Sequence, residues 1–225
     1  MIGRIAILSD IHFPYQCPRA WPLTLSILPR LNLDAILLNG DIIDFEPISK
    51  FVECPRKKIE LKPHLDESYK QLLRLRKAVP KARILFRPGN HEERMEKHIV
   101  TKAPSLIDLA QLNGPLHVAS LLKVDQLDIG WIANDRPYRP YALGKLDVMH
   151  GHEIKAGGKN AAEKIYRSII GNMYVGHHHR FDRYIQRVLR GPMNPVWVGG
   201  CVCNVNPDWT FFPQWQQGFG VAEVS

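Results

Sequence analysis

The chain has 225 residues, 45% hydrophobic and 23% charged, and its 30 Lys and Arg against 22 Asp and Glu give a net charge of +8. That length suits one well-buried unit, so residues 1–225 are expected to form a single domain. No apolar run approaches the roughly 20 residues that span a bilayer, and "IGRIAIL" is too short for a signal peptide, which argues against a membrane partner and for the cytoplasm.

The first strand-like stretch is "RIAIL" (4–8), apolar and closed by Ser9-Asp10. "RAWPLTLSILPRL" (19–31) has helical spacing, confined by Pro22 and Pro29 to a short piece. "LDAILLNGD" (33–41) reads as a second buried strand. "HLDESYKQLLRLRKAV" (64–79) places Leu65, Tyr69, Leu72, Leu73 and Val79 on one face of an amphipathic helix. "ARILFRPGN" (82–90) repeats the strand-then-glycine pattern, and 92–111 reads as helical segments broken near Pro104. This alternation predicts a largely parallel sheet covered by helices.

Farther along, "NDRPYRPYALG" (134–144) reads as a loop or small insertion, "KLDVMHGHE" (145–153) as a strand and "NAAEKIYRSII" (160–170) as a helix. "NMYVGHHH" (172–179) is a strand-to-loop junction. "RYIQRVLR", "NPVWVGGCVC" and "GFGVAEV" follow as strands. Four cysteines, Cys17, Cys54, Cys201 and Cys203, lack CxxC spacing. Cys201 and Cys203 share one face of their strand, and all four read as reduced thiols, with a zinc or disulfide role as the alternative. The pI near 9.4 favours polyanionic partners without telling nucleic acid from nucleotides.

Five predicted strands end in polar, metal-competent residues: Asp10 and His12; Asp41 and Asp44; Asn90, His91 and Glu92; His150 and His152; and His177, His178 and His179. Each stretch alone has a bland reading as turn, cap or solvated loop. In open α/β sheets, however, ligands collect beyond the carboxyl ends of strands, so residues far apart in sequence converge on one rim. Oxygen and imidazole donors suit Mn²⁺, Fe²⁺, Zn²⁺ or Ni²⁺.

In order and type, "DIH" (10–12), "GDIID" (40–44), "GNHE" (89–92), His150 and "GHHH" (176–179) resemble the signature of the calcineurin-like metallophosphoesterases. The resemblance spans residues 10–179 and implies a four-layer α/β fold: a β-sheet sandwich flanked by helices, with metals at the carboxyl ends of the strands. It further implies two divalent ions, with Mn²⁺ the first choice. Asp10, His12 and His179 would take one ion, Asn90, His150 and His177 the other, and Asp41 would bridge them. His91 would assist the leaving oxygen, with Asp44 orienting it. His150 is preferred to His152 because "LDVM" runs directly into it, and His178 is read as a spacer. Glu92 reads either as a partner behind a metal ligand or, the preferred reading, as a solvated acid at a helix start.

The implied activity is phosphoester hydrolysis. Lys155, Lys159, Arg180 and Arg183 are candidate backbone contacts for DNA or RNA, and Trp209, Phe211, Phe212 and Trp215 could stack bases or pack. The expected substrate is thus a phosphodiester, with nucleic acid ranked ahead of a small nucleotide, cyclic nucleotide or phosphoprotein. A non-catalytic platform is the third reading, and an aromatic C-terminal segment suits a homodimer.

Overall fold

The computed structural model of the chain describes residues 3–50, 60–134, 138–156, 158–187, 189–191, 193–207 and 211–224, so Cys54 and Trp209 lie outside the described residues. The first half alternates β1 (Gly3–Leu8), α1 (Ala20–Ile27), β2 (Ala35–Asn39), α2 (Leu61–Ala78), β3 (Arg83–Arg87) and α3 (Glu93–Lys102). Pro22 and Pro63 sit in the first turns of α1 and α2, where backbone N–H groups have no helical partner to lose. Then follow α4 (Val118–Leu121), β4 (Ile129–Trp131), β5 (Tyr141–Leu143), β6 (Leu146–Met149), α5 (Ala161–Ile169), β7 (Met173–Val175), β8 (Asp182–Tyr184), β9 (Val196–Val198) and β10 (Gly220–Val224).

Two five-stranded sheets result, ordered β10-β1-β2-β3-β4 and β5-β6-β7-β9-β8. The inner strands of each are parallel, while β10, β5 and β8 run antiparallel to their neighbours. The period-2 alternation of strand side chains builds the layers. In the first sheet, Ala6, Leu8, Ile36, Leu38, Ile84 and Phe86 join one core with Trp21, Leu72, Leu75 and Ile99 of the helices. The intervening residues Ile7, Leu37 and Leu85 meet Leu143, Val148 and Tyr174 of the second sheet. Met173, Val175, Val196 and Val198 face Ala162, Ile165 and Tyr166 of α5 on the far side. Helices, sheet, sheet and helix therefore stack as four layers.

Two expectations need correction. The 134–144 segment is not only loop, because Tyr141–Leu143 forms the edge strand β5 against β6. The "RYIQRVLR" strand is short, since β8 ends at Tyr184. The expected largely parallel arrangement holds across both sheets, with antiparallel strands confined to edge positions. Among the described residues, no helix is long and apolar enough to cross a membrane.

Leu37 is 1% exposed at the junction of the two sheets. Leu37→Ala should lower the unfolding free energy by about 2–5 kcal/mol through lost burial and a residual cavity. Urea unfolding with an unchanged m-value checks this; a loss below about 1 kcal/mol would contradict the packing between the sheets.

Candidate metal centre

All five polar strand ends meet on one rim. Asp10 and His12 follow β1, Asp41 and Asp44 follow β2, Asn90 and His91 follow β3, His150 follows β6, and His177 and His179 follow β7. Backbone bonds tie the exits together: Asp10 N–H donates to Gly40 O (3.1 Å), His12 N–H to Asp41 O (3.0 Å) and Gly176 N–H to His150 O (2.8 Å). Glycine is required where backbones approach. A Cβ on Gly40, whose φ is +82°, would lie 2.5 Å from His150 Nδ1 and 2.8 Å from Gly89 Cα. Asp10, His12, Asp41, His177 and His179 all adopt left-handed backbone angles, with φ between 53° and 66°. Such conformations in non-glycine residues cost free energy and persist only where the surroundings enforce them.

Metal-competent atoms gather in groups whose members lie within 4.8 Å of one another: Asp10, His12 and His179 form one, and Asp41, His150 and His177 another. Asp10 Oδ1 lies 3.1 Å from His179 Nε2, and Asp41 Oδ2 lies 3.1 Å from His150 Nε2. Asp41 Oδ2 is also 3.9 Å from His12 Nε2, which puts this carboxylate between the two groups.

The outer nitrogens of the imidazoles fix their orientation. His150 Nδ1–H donates to Asn39 O at 2.8 Å, and His12 Nδ1–H to Asp44 Oδ2 at 2.9 Å. Both rings therefore turn an Nε2 lone pair inward, the arrangement usual for metal-ligating histidines. Asp10 Oδ1, Asn90 Oδ1 and His150 Nε2 are buried without a hydrogen-bond partner among the described residues. Acceptors facing acceptors at 3.1 Å are favourable only with a positive charge between them, so this donor set fits divalent cations.

Burial by itself would raise the Asp10 and Asp41 carboxyls. His179 and His150 outweigh it for Asp10, His150 and His91 for Asp41, and both are held below the usual carboxylate range. Burial lowers His150 too, but Asp41 and Asp10 overcome it and push that imidazole up to about 10. His177 is pushed down to about 4, chiefly by burial and then by His150. Without cations, a proton on His150 stands in for part of their charge.

Asp44 does more than orient His91. Its carboxylate is closer to His12 Nδ1 (2.9 Å) than to His91 Nδ1 (3.4 Å), and its backbone carbonyl accepts from His91 Nδ1–H at 2.7 Å. His91 Nε2 faces Asp41 Oδ2 at 3.7 Å and accepts from Arg94 Nη2 at 2.9 Å. Burial lowers His91, whereas Asp41 and Asp44 raise it, with a net upward direction. A proton on Nε2 and the Arg94 contact exclude each other, so protonating His91 there displaces the guanidinium.

His152 turns to Glu93 (3.2 Å) and joins neither metal-competent group, and His178 is likewise outside both. Arg180 is half-buried directly after His179, while Lys155 and Lys159 are exposed on the β6–α5 connection and Arg183 on β8. Phe211 and Phe212 are exposed, but Trp215 packs edge-on against His179 with ring centroids 4.3 Å apart.

Glu92 overturns its expected role. It is buried, and its carboxylate accepts from the backbone N–H groups of Gly89 (2.7 Å), Asp41 (2.9 Å), Ile42 (2.8 Å) and Ile43 (3.1 Å). The "GNHE" spacing carried the signal, but its four donors come partly from a segment 50 residues away. Arg94, two residues beyond the motif, was also missed.

The calcineurin-like phosphoesterase family profile matches residues 3–181. The chain belongs to that family. This phosphoesterase is a metal-dependent hydrolase of phosphate esters. No curated protein sequence matches the chain. Similar solved structures include Vps29 complexed with Zn²⁺ from Entamoeba histolytica, 13% identical, covering 93% of this chain and 81% of that one with a TM-score of 0.41. Vps29 from Chaetomium thermophilum is 10% identical, covering 99% and 97% with a TM-score of 0.43. The phosphoesterase YfcE from E. coli is 16% identical, covering 97% and 87% with a TM-score of 0.40.

Glu92→Gln should cost this phosphoesterase about 1–3 kcal/mol, because an amide leaves some of the four N–H groups unmatched. Thermal unfolding checks it, and an unchanged midpoint would refute the anchor. His150 supplies a second expectation. In the metal-free protein its proton stabilises the fold fully below pH 6.5, and the contribution fades as pH rises through about 10. Mn²⁺ binding at pH 7 must therefore release protons and tighten as pH rises. Calorimetry in buffers of different ionisation enthalpy measures the release, and equal heats would count against it.

Proposed function

We propose that the protein is a two-metal phosphodiesterase acting on nucleic acid in the cytoplasm, with Mn²⁺ as its working ion. The observation that carries the two-metal reading is the placement of Asp41 between two groups of inward-facing donors, beside His91. Asp10, His12 and His179 would hold one ion, Asn90, His150 and His177 the other, and Asp41 both. When bound, the ions supply Lewis acidity toward phosphoryl oxygens and an acidified water as nucleophile.

The chain's own groups do the rest. Asp44 fixes His12 through its carboxylate and His91 through its carbonyl, so one residue sets both a ligand and the proton donor. His91 Nε2 delivers a proton to the leaving oxygen. For this, Arg94 leaves Nε2 and pairs with the substrate phosphoryl group, which exchanges a neutral acceptor for an anion. Arg180, beside His179, and more remotely Lys155 and Lys159 extend the positive surface along a polyanion. The net charge of +8 supports that substrate class, and the free thiols Cys17, Cys201 and Cys203 support a reducing compartment.

The deciding assay offers bis(p-nitrophenyl) phosphate, p-nitrophenyl phosphate, and labelled single- and double-stranded DNA and RNA, each with Mn²⁺, Ni²⁺, Zn²⁺ or Mg²⁺. Diester and nucleic-acid cleavage, fastest with Mn²⁺, is expected; hydrolysis of the monoester alone would overturn the nuclease reading. Asp41→Asn should abolish turnover. His91→Asn should keep its metal content by elemental analysis while kcat falls about 10²–10⁴-fold. Loss of metal from the His91 variant would mean that this residue is a ligand instead.

A further inference from the structure

His179 has two polar sides. Its Nε2 faces Asp10 and His12, whereas its Nδ1 lies 3.8 Å from Cys203 Sγ. Cys201 is close by, and His179, Cys201 and Cys203 offer three buried donor atoms within 4.8 Å of one another. The thiols are not joined in a disulfide. The outer nitrogens of His12 and His150 meet oxygen acceptors, but that of His179 meets sulfur. Thiols are poor orienting acceptors for a histidine ligand and good ligands for soft cations once deprotonated.

We propose that His179 Nδ1, Cys201 Sγ and Cys203 Sγ form a further metal site, selective for a thiophilic divalent cation of the zinc type, on the far side of His179 from the phosphoesterase centre. Tetrahedral bonds of about 2.3 Å to sulfur and 2.0–2.1 Å to nitrogen separate such ligands by about 3.5–3.6 Å, within a small side-chain adjustment of the 3.8 Å found. The Gln216 carbonyl lies 3.6 Å from Cys201 Sγ, and the Trp215 ring packs on His179. On binding, both thiols release their protons to solvent as two sulfur–metal bonds form, and where Nε2 already holds a cation the His179 Nδ1–H is released as well, so that the ring bridges as an imidazolate, with no change of oxidation state. Mn²⁺ and Mg²⁺ prefer oxygen and imidazole donors, so the two sides of the ring sort cations by softness. Only the sharing of His179 rests on the proposed catalytic roles; the thiol site does not.

Protein held in excess Mg²⁺, which is diamagnetic and leaves a cadmium resonance observable, and then titrated with Cd²⁺ tests this. A thiolate-to-cadmium charge-transfer band should grow to a single equivalent, with a cadmium-113 resonance in the range of mixed sulfur and nitrogen ligands. The Cys201→Ser, Cys203→Ser double variant should lose the band, and Cys17→Ser should keep it. No band in the unaltered protein, a band surviving in the double variant, or a resonance typical of oxygen and nitrogen ligands alone would overturn the site. The resonance needs no substitution, so a misfolded variant leaves the test decisive. Diester hydrolysis is followed separately: its absence alongside an intact cadmium band sinks the catalytic reading alone, whereas normal hydrolysis without the band sinks only the thiol site.

Discussion

Two carboxylates buried side by side, Asp10 and Asp41, set the terms for everything around them. Removing anions from water is expensive unless positive charge compensates them locally. Here each accepts one backbone N–H, Asp10 from His177 and Asp41 from His91, and further compensation comes from imidazoles turned inward, a proton held by His150, or cations in its place. The four layers serve that need. Parallel strands point their exits the same way, and the hydrophobic sandwich behind them fixes the spacing of those exits. Glu92 is a third buried carboxylate close by, but its charge is taken up by backbone N–H groups, which leaves the other two to face the centre.

The balance also explains the asymmetry between neighbouring histidines. His150 and His177 lie with ring centroids 5.3 Å apart, yet one is driven strongly up and the other down. The first to accept a proton against the carboxylates makes the second protonation unfavourable, and burial removes the solvent that would screen the repulsion. His91 stands at the edge of this field, between two carboxylates and a guanidinium. That position lets a departing cation partner change what the ring can donate.

Much of the centre was readable because its elements are local. An apolar strand followed within a few residues by polar side chains, in several cases beside a glycine, is a pattern within ten residues, and Asp10, His12, Asp41, Asn90, His150, His177 and His179 each lie in one. The choice of His150 over His152 followed from its place directly after β6; in the structure His150 faces Asp41, whereas His152 turns to Glu93. What escaped were residues whose meaning depends on a distant partner. Glu92 looks like any acid at a helix start until the β2 exit folds over it. Arg94, Cys203 and Trp215 gain roles only through His91 and His179. Short strands such as β4 and β5 carry too few residues for alternation to show, and β5 hides in a proline-rich stretch.

The left-handed turns at Asp10, His12, Asp41, His177 and His179 carry a lesson for anyone wishing to move this centre elsewhere. Copying the seven side chains onto a generic sheet would not reproduce it, because ordinary strand exits aim their side chains along different vectors. The transplantable unit is the set of kinked junctions with the glycines and Glu92 that brace them. Any replacement at those junctions must tolerate the unusual backbone before its chemistry can matter.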